Sequence, residues 1–178
     1  PYRAPKIGNT IVRSIFDRTL YVLGRAVVVA LPAGIVIWLL ANINVSDISL
    51  LRYITDFFDP FARLMGLDGV ILTAFILGFP ANEIVIPIAM MAYTASGELV
   101  PMDNLVELKE ILIANGWTWN TAICTIIFSL MHWPCSTTCL TMLKETKSWK
   151  WTLIGIVLPT ICGILACMLI TAISGLIV

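Results

Sequence analysis

From residue 151 to residue 178 the chain runs for 28 positions without one charged side chain. As a helix that stretch is roughly 42 Å long, against a hydrocarbon layer about 30 Å thick. The remainder of the chain agrees with it. Residues are 59% hydrophobic and 12% charged, with a mean hydropathy of +0.94, where a soluble domain carries about 45–50% apolar and about 25% charged residues. A soluble chain of this length must still cover its outside with polar groups, and too few are present. The sequence predicts an all-α integral membrane protein: a helical bundle with proline-broken or re-entrant helices and interfacial amphipathic helices. Net charge is zero, which leaves no electrostatic footprint for nucleic acid or an anionic lipid surface.

Two parts are expected. Residues 1–21 read as an interfacial amphipathic segment, with Ile11, Ile15 and Val22 at near-helical spacing and Arg13, Asp17 and Arg18 on another face. Residues 22–178 read as a membrane domain with four apolar segments, at about 22–43, 67–95, 119–143 and 151–177. Arg25 can snorkel from the start of the first, and Pro32 interrupts it. Residues 44–68 carry four acids and two arginines and are expected to form a loop with local helical turns. Residues 101–116 suggest a short surface helix with Asp103 as N-cap, an apolar stripe of Leu105, Leu108, Ile111 and Leu112, and Asn115-Gly116 as its end.

Two of the apolar segments are interrupted by proline. In residues 67–95 the break is FPANE (residues 79–83), and each half is long enough for only about half a bilayer. This is either a broken span or a re-entrant hairpin. The hairpin would put both basic regions, residues 1–25 and 144–150, on one side of the membrane and both acidic loops on the other. In residues 119–143 the break is HWPCST (residues 132–137). The two breaks echo each other, aromatic-Pro-small-polar after an apolar half-helix, in the manner of transporters built from paired repeats with discontinuous helices.

A proline removes one hydrogen bond and frees a carbonyl a turn earlier, and lipid offers that carbonyl no partner. Irregular backbone at Pro80 and Pro134 therefore has to be buried or to line a cavity. Beside Pro80 stand Asn82 and Glu83, the latter the one acid between residues 70 and 94. An intramembrane carboxylate is expensive and points to a cation ligand or a gate, or else to a hydrogen bond across helices. Beside Pro134 stand Met131, the single histidine His132, Cys135 and Cys139. Thioether, imidazole and thiol suit first-row and soft cations, while the bland alternative is a proline kink whose polar groups glue helices together. Ser136, Thr137, Thr138 and Thr141 can bond back to freed carbonyls. Cys124, Cys162 and Cys167 lie dispersed in apolar runs as packing residues. Five cysteines of this kind read as reduced thiols, not a disulfide framework. No G-x-x-x-x-G-K-[ST] stretch is present, so this chain has no P-loop.

GFPANEIVIPIAMMAYT (residues 78–94) and HWPCSTTCLTMLKETKSWKWT (residues 132–152) resemble the second Gate region of FeoB-type ferrous iron transporters. PYRAPKIGNTIVRSIFDRTLYVLGRA, at the start, is similar to the segment leading into it. The resemblance implies Fe2+ uptake across the prokaryotic inner (plasma) membrane by a multi-pass protein, with this chain as the C-terminal part of the membrane domain. It implies Fe2+ as transported substrate, and GTP with Mg2+ held only by an N-terminal G domain outside this sequence. No enzymatic activity is expected of the chain itself. The partners implied are the lipid bilayer, the upstream helices and G domain of the same protein, and a small FeoA-type protein. A homo-oligomer is compatible with it.

The resemblance also implies that the cysteine at the Pro-Cys position, Cys135, lies on the iron path, and that Asn82 and Glu83 match the family's P-A-N-E. A site that must release its ion fits a mixed set of Cys135, Glu83 and Asn82, extended by His132, Met131 or Cys139, better than a closed cysteine cage. A thiol losing its proton to the cation makes uptake weaker at low pH. Two other readings are carried: a Gate-type module for an organic solute such as a nucleoside, and a structural assembly domain without ligation.

Overall fold

The computed structural model describes residues 20–45, 48–94 and 105–177. The expected interfacial segment lies almost wholly outside them, as do the Asp103 cap and the Arg25 side chain. Helix α1, Leu20–Asn42, contains Pro32 and occupies the first apolar segment. It turns Ile37 inward while Leu31, Ile35 and Trp38 face out. A two-residue antiparallel pair follows, β1 (Asn44–Val45) with β2 (Ile48–Ser49).

Helix α2, Leu50–Leu64, corrects the loop expected over residues 44–68. The charged residues suggested a loop, yet they support a helix that also accommodates Pro60. Ser49 caps it by accepting from the Arg52 amide at 3.3 Å. Asp56 and Asp59 each meet an arginine one turn away, Arg52 at 3.3 Å and Arg63 at 2.6 Å. Leu51, Thr55 and Ala62 form its buried stripe, and Phe57, Phe61 and Leu64 are exposed.

The chain then bends by 109° into α3, Gly69–Leu77. Two glycines make that corner. Gly66 has φ +70°, a left-handed value that other residues avoid, and closes the end of α2 through Gly66 N–H to Arg63 O and Leu67 N–H to Ala62 O. At Gly69 a Cβ would collide with the Thr55 carbonyl and lie 2.9 Å from Asp59 Cα, so only glycine lets α3 start against α2. Asp68 caps α3, its Oδ1 accepting from the Ile71 amide at 2.7 Å.

After α3 the chain breaks, makes a single 3-10 turn (Asn82–Ile84) and returns as α4, Val85–Thr94. The two ends of this segment meet: the Tyr93 hydroxyl donates to Asp68 Oδ2. The two arms, α3 and α4, thus lie side by side as a helical hairpin with residues 79–83 at its tip. At Gly78 a Cβ would sit 2.5 Å from Val85 Cγ2 and 2.9 Å from Ala74 O, which is why the arms can close so tightly.

Helix α5, Leu105–Ala114, ends at Gly116, φ +86°. Trp117 then donates its indole N–H to the Tyr93 hydroxyl at 2.8 Å. Helix α6, Trp119–Met131, is capped by Thr118 and therefore starts at the same end of the bundle as both hairpin arms. Residues 132–135 interrupt the helix, which resumes as α7, Ser136–Thr146. Helix α8, Trp149–Ile177, runs back along α7 and α6. Gly163 admits Met131, whose Cβ would lie 3.0 Å from an added methyl there. Cys124 and Cys167, both fully buried, each point a thiol at the other's carbonyl, at 3.8 and 3.4 Å. Asn120 bonds Thr171 at 3.3 Å and Ser174 at 3.1 Å. These are the small and polar contacts that hold helices together in lipid.

Among the described residues, Trp119–Thr146 and Trp149–Leu176 are each long and apolar enough to cross a membrane. Phe75, Phe128, Ile71, Ile88 and Met90 fill the interior, while Leu130 and Leu176 are 80% and 87% exposed. Apolar groups inside and out are what a bilayer solvent selects, and water penalises such a surface. The protein is an all-α membrane protein.

Candidate functional site

The hairpin tip and the α6–α7 break meet. The Ser136 amide, first in α7, donates to the Phe79 carbonyl at 2.9 Å. Both breaks free backbone groups that lipid cannot satisfy, and here one supplies the other's partner. From the shared end of the bundle, α6 descends 13 residues, roughly 20 Å, to this junction. The break therefore falls between the two ends of the apolar stretch Trp119–Thr146.

At the tip, Phe79 is exposed, Pro80 and Ala81 are half-buried, and Asn82 and Glu83 are both exposed. Local bonds satisfy the tip backbone: Ala81 N–H to Gly78 O at 3.0 Å and Ile84 N–H to Ala81 O at 3.2 Å. The two polar side chains are thereby left free to project from the hairpin.

Across the junction Cys135 is the N-cap residue of α7. Its Sγ lies 3.1 Å from Thr137 Oγ1 and 3.2 Å from Thr138 Oγ1. Two hydroxyls thus converge on this sulfur at a helix N-terminus, and sulfur is a donor that suits first-row metals. Cys139 sits a turn further on and donates to Pro134 O at 3.3 Å, so this thiol serves the carbonyl that the break leaves open. Met131, half-buried, packs on Gly163 of α8. His132 is buried among Phe75, Phe128 and Trp133, with ring centroids 4.9, 5.9 and 5.8 Å away. Thr141 bonds back to Thr137 O at 2.8 Å.

The structure thus brings the 79–83 tip and the 132–136 break together, and assigns Cys139 and Met131 bonds or packing of their own. Among the described residues no three His, Cys, Asp or Glu side chains cluster closely enough to cage a metal ion. An ion at this junction would draw on few side chains and on backbone or hydroxyl oxygen. Sequence reasoning missed Ser136 as the residue that ties the breaks; its position after Pro-Cys, at the first turn of a resumed helix, was the available signal.

The Gate family, described as nucleoside recognition, matches residues 23–149. A protein named Fe(2+) transporter FeoB from Staphylococcus aureus (strain MSSA476) is 30% identical over 168 residues, 90% of this chain and 24% of that protein. One of the same name from Methanocaldococcus jannaschii is 25% identical over 190 residues, 99% of this chain and 27% of that protein. The chain spans about a quarter of the length of these relatives. No solved structure matches.

Proposed function

We propose that this chain, which belongs to the Gate family, forms part of the Fe2+ permeation pathway of a FeoB-type transporter. The observation that carries the proposal is the junction of two broken apolar helices, sealed by Ser136 N–H to Phe79 O, with Cys135 at its rim. Fe2+ is borderline in softness and accepts thiolate, imidazole and carboxylate. Cys135 would be its sulfur ligand, with Asn82 and Glu83 at the exposed tip offering amide and carboxylate oxygen to the ion on arrival or departure. A site of few protein ligands holds a cation loosely enough to pass it on.

Residues 1–25 and 144–150 hold eight of the 11 Lys and Arg, and a re-entrant reading of residues 67–95 assigns both basic segments to one face of the membrane and the acidic ones to the other. By the positive-inside rule the basic face is cytoplasmic, in a prokaryotic plasma membrane. In this reading GTP binding, contact with a FeoA-type partner and further helices are contributed outside this chain, which spans about a quarter of its FeoB relatives.

A second reading rests on the family's own description, nucleoside recognition. Asn82 and Glu83 at a hairpin tip can hydrogen-bond a sugar or base, and Cys135 would then have no part. Fe2+ uptake by proteoliposomes of the complete protein separates the two. Uptake lost in Cys135→Ser with folding intact supports iron; saturable nucleoside binding unaffected by that change supports the second reading.

A further inference from the structure

The α6–α7 break holds two buried polar atoms that the fold leaves unpaired. His132 is 7% exposed and Ser136 9%, and neither His132 Nε2 nor Ser136 Oγ has a hydrogen-bond partner. An unpaired buried polar atom costs about 1–3 kcal/mol, and native structures keep few of them without an ion, a water or a functional reason. Among the described residues the one other such side-chain atom is Thr73 Oγ1, within α3.

The histidine's other nitrogen fixes its state. Nδ1 lies 2.9 Å from Ser129 O and 3.1 Å from Phe128 O. Carbonyls only accept, so Nδ1 carries the proton and Nε2 presents a lone pair. This is how ligating histidines are usually held, with the distal N–H spent on a carbonyl that sets tautomer and orientation. The aromatic rings around His132 fix its plane, and none competes for Nε2 as a hydrogen-bond donor in this structure.

His132 packs on Phe75, and Ser136 is bonded to Phe79. Those anchors are four residues apart, Phe75 in the arm α3 and Phe79 at the tip that follows it. The two residues therefore both stand against this arm and its tip, one on either side of Cys135 in the chain. We propose that His132 Nε2 and Ser136 Oγ form an inner station for the transported cation, entered from Cys135, with imidazole nitrogen and hydroxyl oxygen as ligands. The inference rests on the permeation reading above and deepens it. It selects first-row divalent ions that accept imidazole, Fe2+ and Co2+ among them, over Mg2+ and Ca2+.

The test is X-ray absorption at the metal edge on the complete, reduced protein loaded anaerobically with Fe2+ or Co2+. His132→Asn keeps an amide N–H for the two carbonyls and removes the Nε2 lone pair. Ser136→Ala removes the hydroxyl, and Ser136→Thr retains one. The wild type is expected to give sulfur scattering together with the multiple-scattering signature of imidazole. His132→Asn should lose the imidazole signature, keep the sulfur, and transport at least about tenfold more slowly, the usual scale for a disturbed metal shell. Ser136→Ala should slow transport and Ser136→Thr restore it; this pair decides the matter if His132→Asn does not fold.

Sulfur scattering without imidazole in the wild type, or unchanged spectra in His132→Asn, overturns the inner station and leaves the Cys135 reading standing. Absence of both signatures overturns both.

Discussion

Ser136 and Phe79 are joined backbone to backbone, the amide of one donating to the carbonyl of the other at 2.9 Å. Each belongs to a segment that a proline has broken, and neither group has another partner within its own helix. Water would satisfy them in a soluble protein. In lipid the two segments satisfy each other, which fixes the hairpin tip beside Cys135.

That bond can be removed alone. Ser136 is the first residue of α7, where proline is tolerated, and Cys135 already has the extended backbone, φ −60° and ψ 158°, that precedes proline. Ser136→Pro should be less stable than Ser136→Ala by about 1–3 kcal/mol, the cost of leaving Phe79 O unpaired, in thermal unfolding in detergent. Equal stabilities would mean the bond contributes nothing.

The base of the hairpin is held by the chain Trp117 to Tyr93 to Asp68. Tyr93→Phe strips the acceptor from the Trp117 indole and the donor from Asp68 at once. It should cost about 1–3 kcal/mol and raise amide exchange in α4 above that in α6. Unaltered exchange in α4 would show that packing alone closes the hairpin.

Two glycines should respond differently to alanine. At Gly69 a methyl runs into the Thr55 carbonyl and crowds Asp59, backbone that cannot swing aside, so Gly69→Ala should cost about 1–3 kcal/mol or more from overpacking. Gly116 has open space around it and only its positive φ to defend, about 1–2 kcal/mol. A melting series with Gly116→Ala the worse of the two would contradict the close α2–α3 corner.

The apolar segments were legible because lipid imposes a simple rule on composition, and the two breaks because proline there stands beside polar residues; Pro32, Pro60 and Pro159 stay inside continuous helices. Residues 44–68 were misread because acids signal loop in isolation; only the positions of Arg52 and Arg63, one turn from Asp56 and Asp59, disclose a helix. The pairing of α3 with α4 was hidden because it depends on Tyr93 reaching Asp68, a contact 25 residues apart that no local pattern encodes. Cys139 drew attention by type, yet its thiol is engaged by Pro134 O. Ser136, chemically plain in the sequence, carries the junction.

The thiols should separate by reactivity. Cys135 is half-buried, while Cys124 and Cys167 are fully buried and Cys162 is exposed on α8, facing lipid on this account. A small charged methanethiosulfonate should modify Cys135 alone of these four, and Fe2+ should slow that reaction. Labelling of Cys124 before Cys135, or no protection by Fe2+, would place the aqueous path elsewhere.

The central claim is that the cation passes the junction of the two breaks. Anomalous scattering at the iron edge from crystals of the complete protein, grown reduced with Fe2+, tests it most directly. The account predicts a peak at ligand distance from Cys135 Sγ, beside the tip that carries Asn82 and Glu83. Iron found only at the loops, with the Cys135 thiol unoccupied, would contradict it.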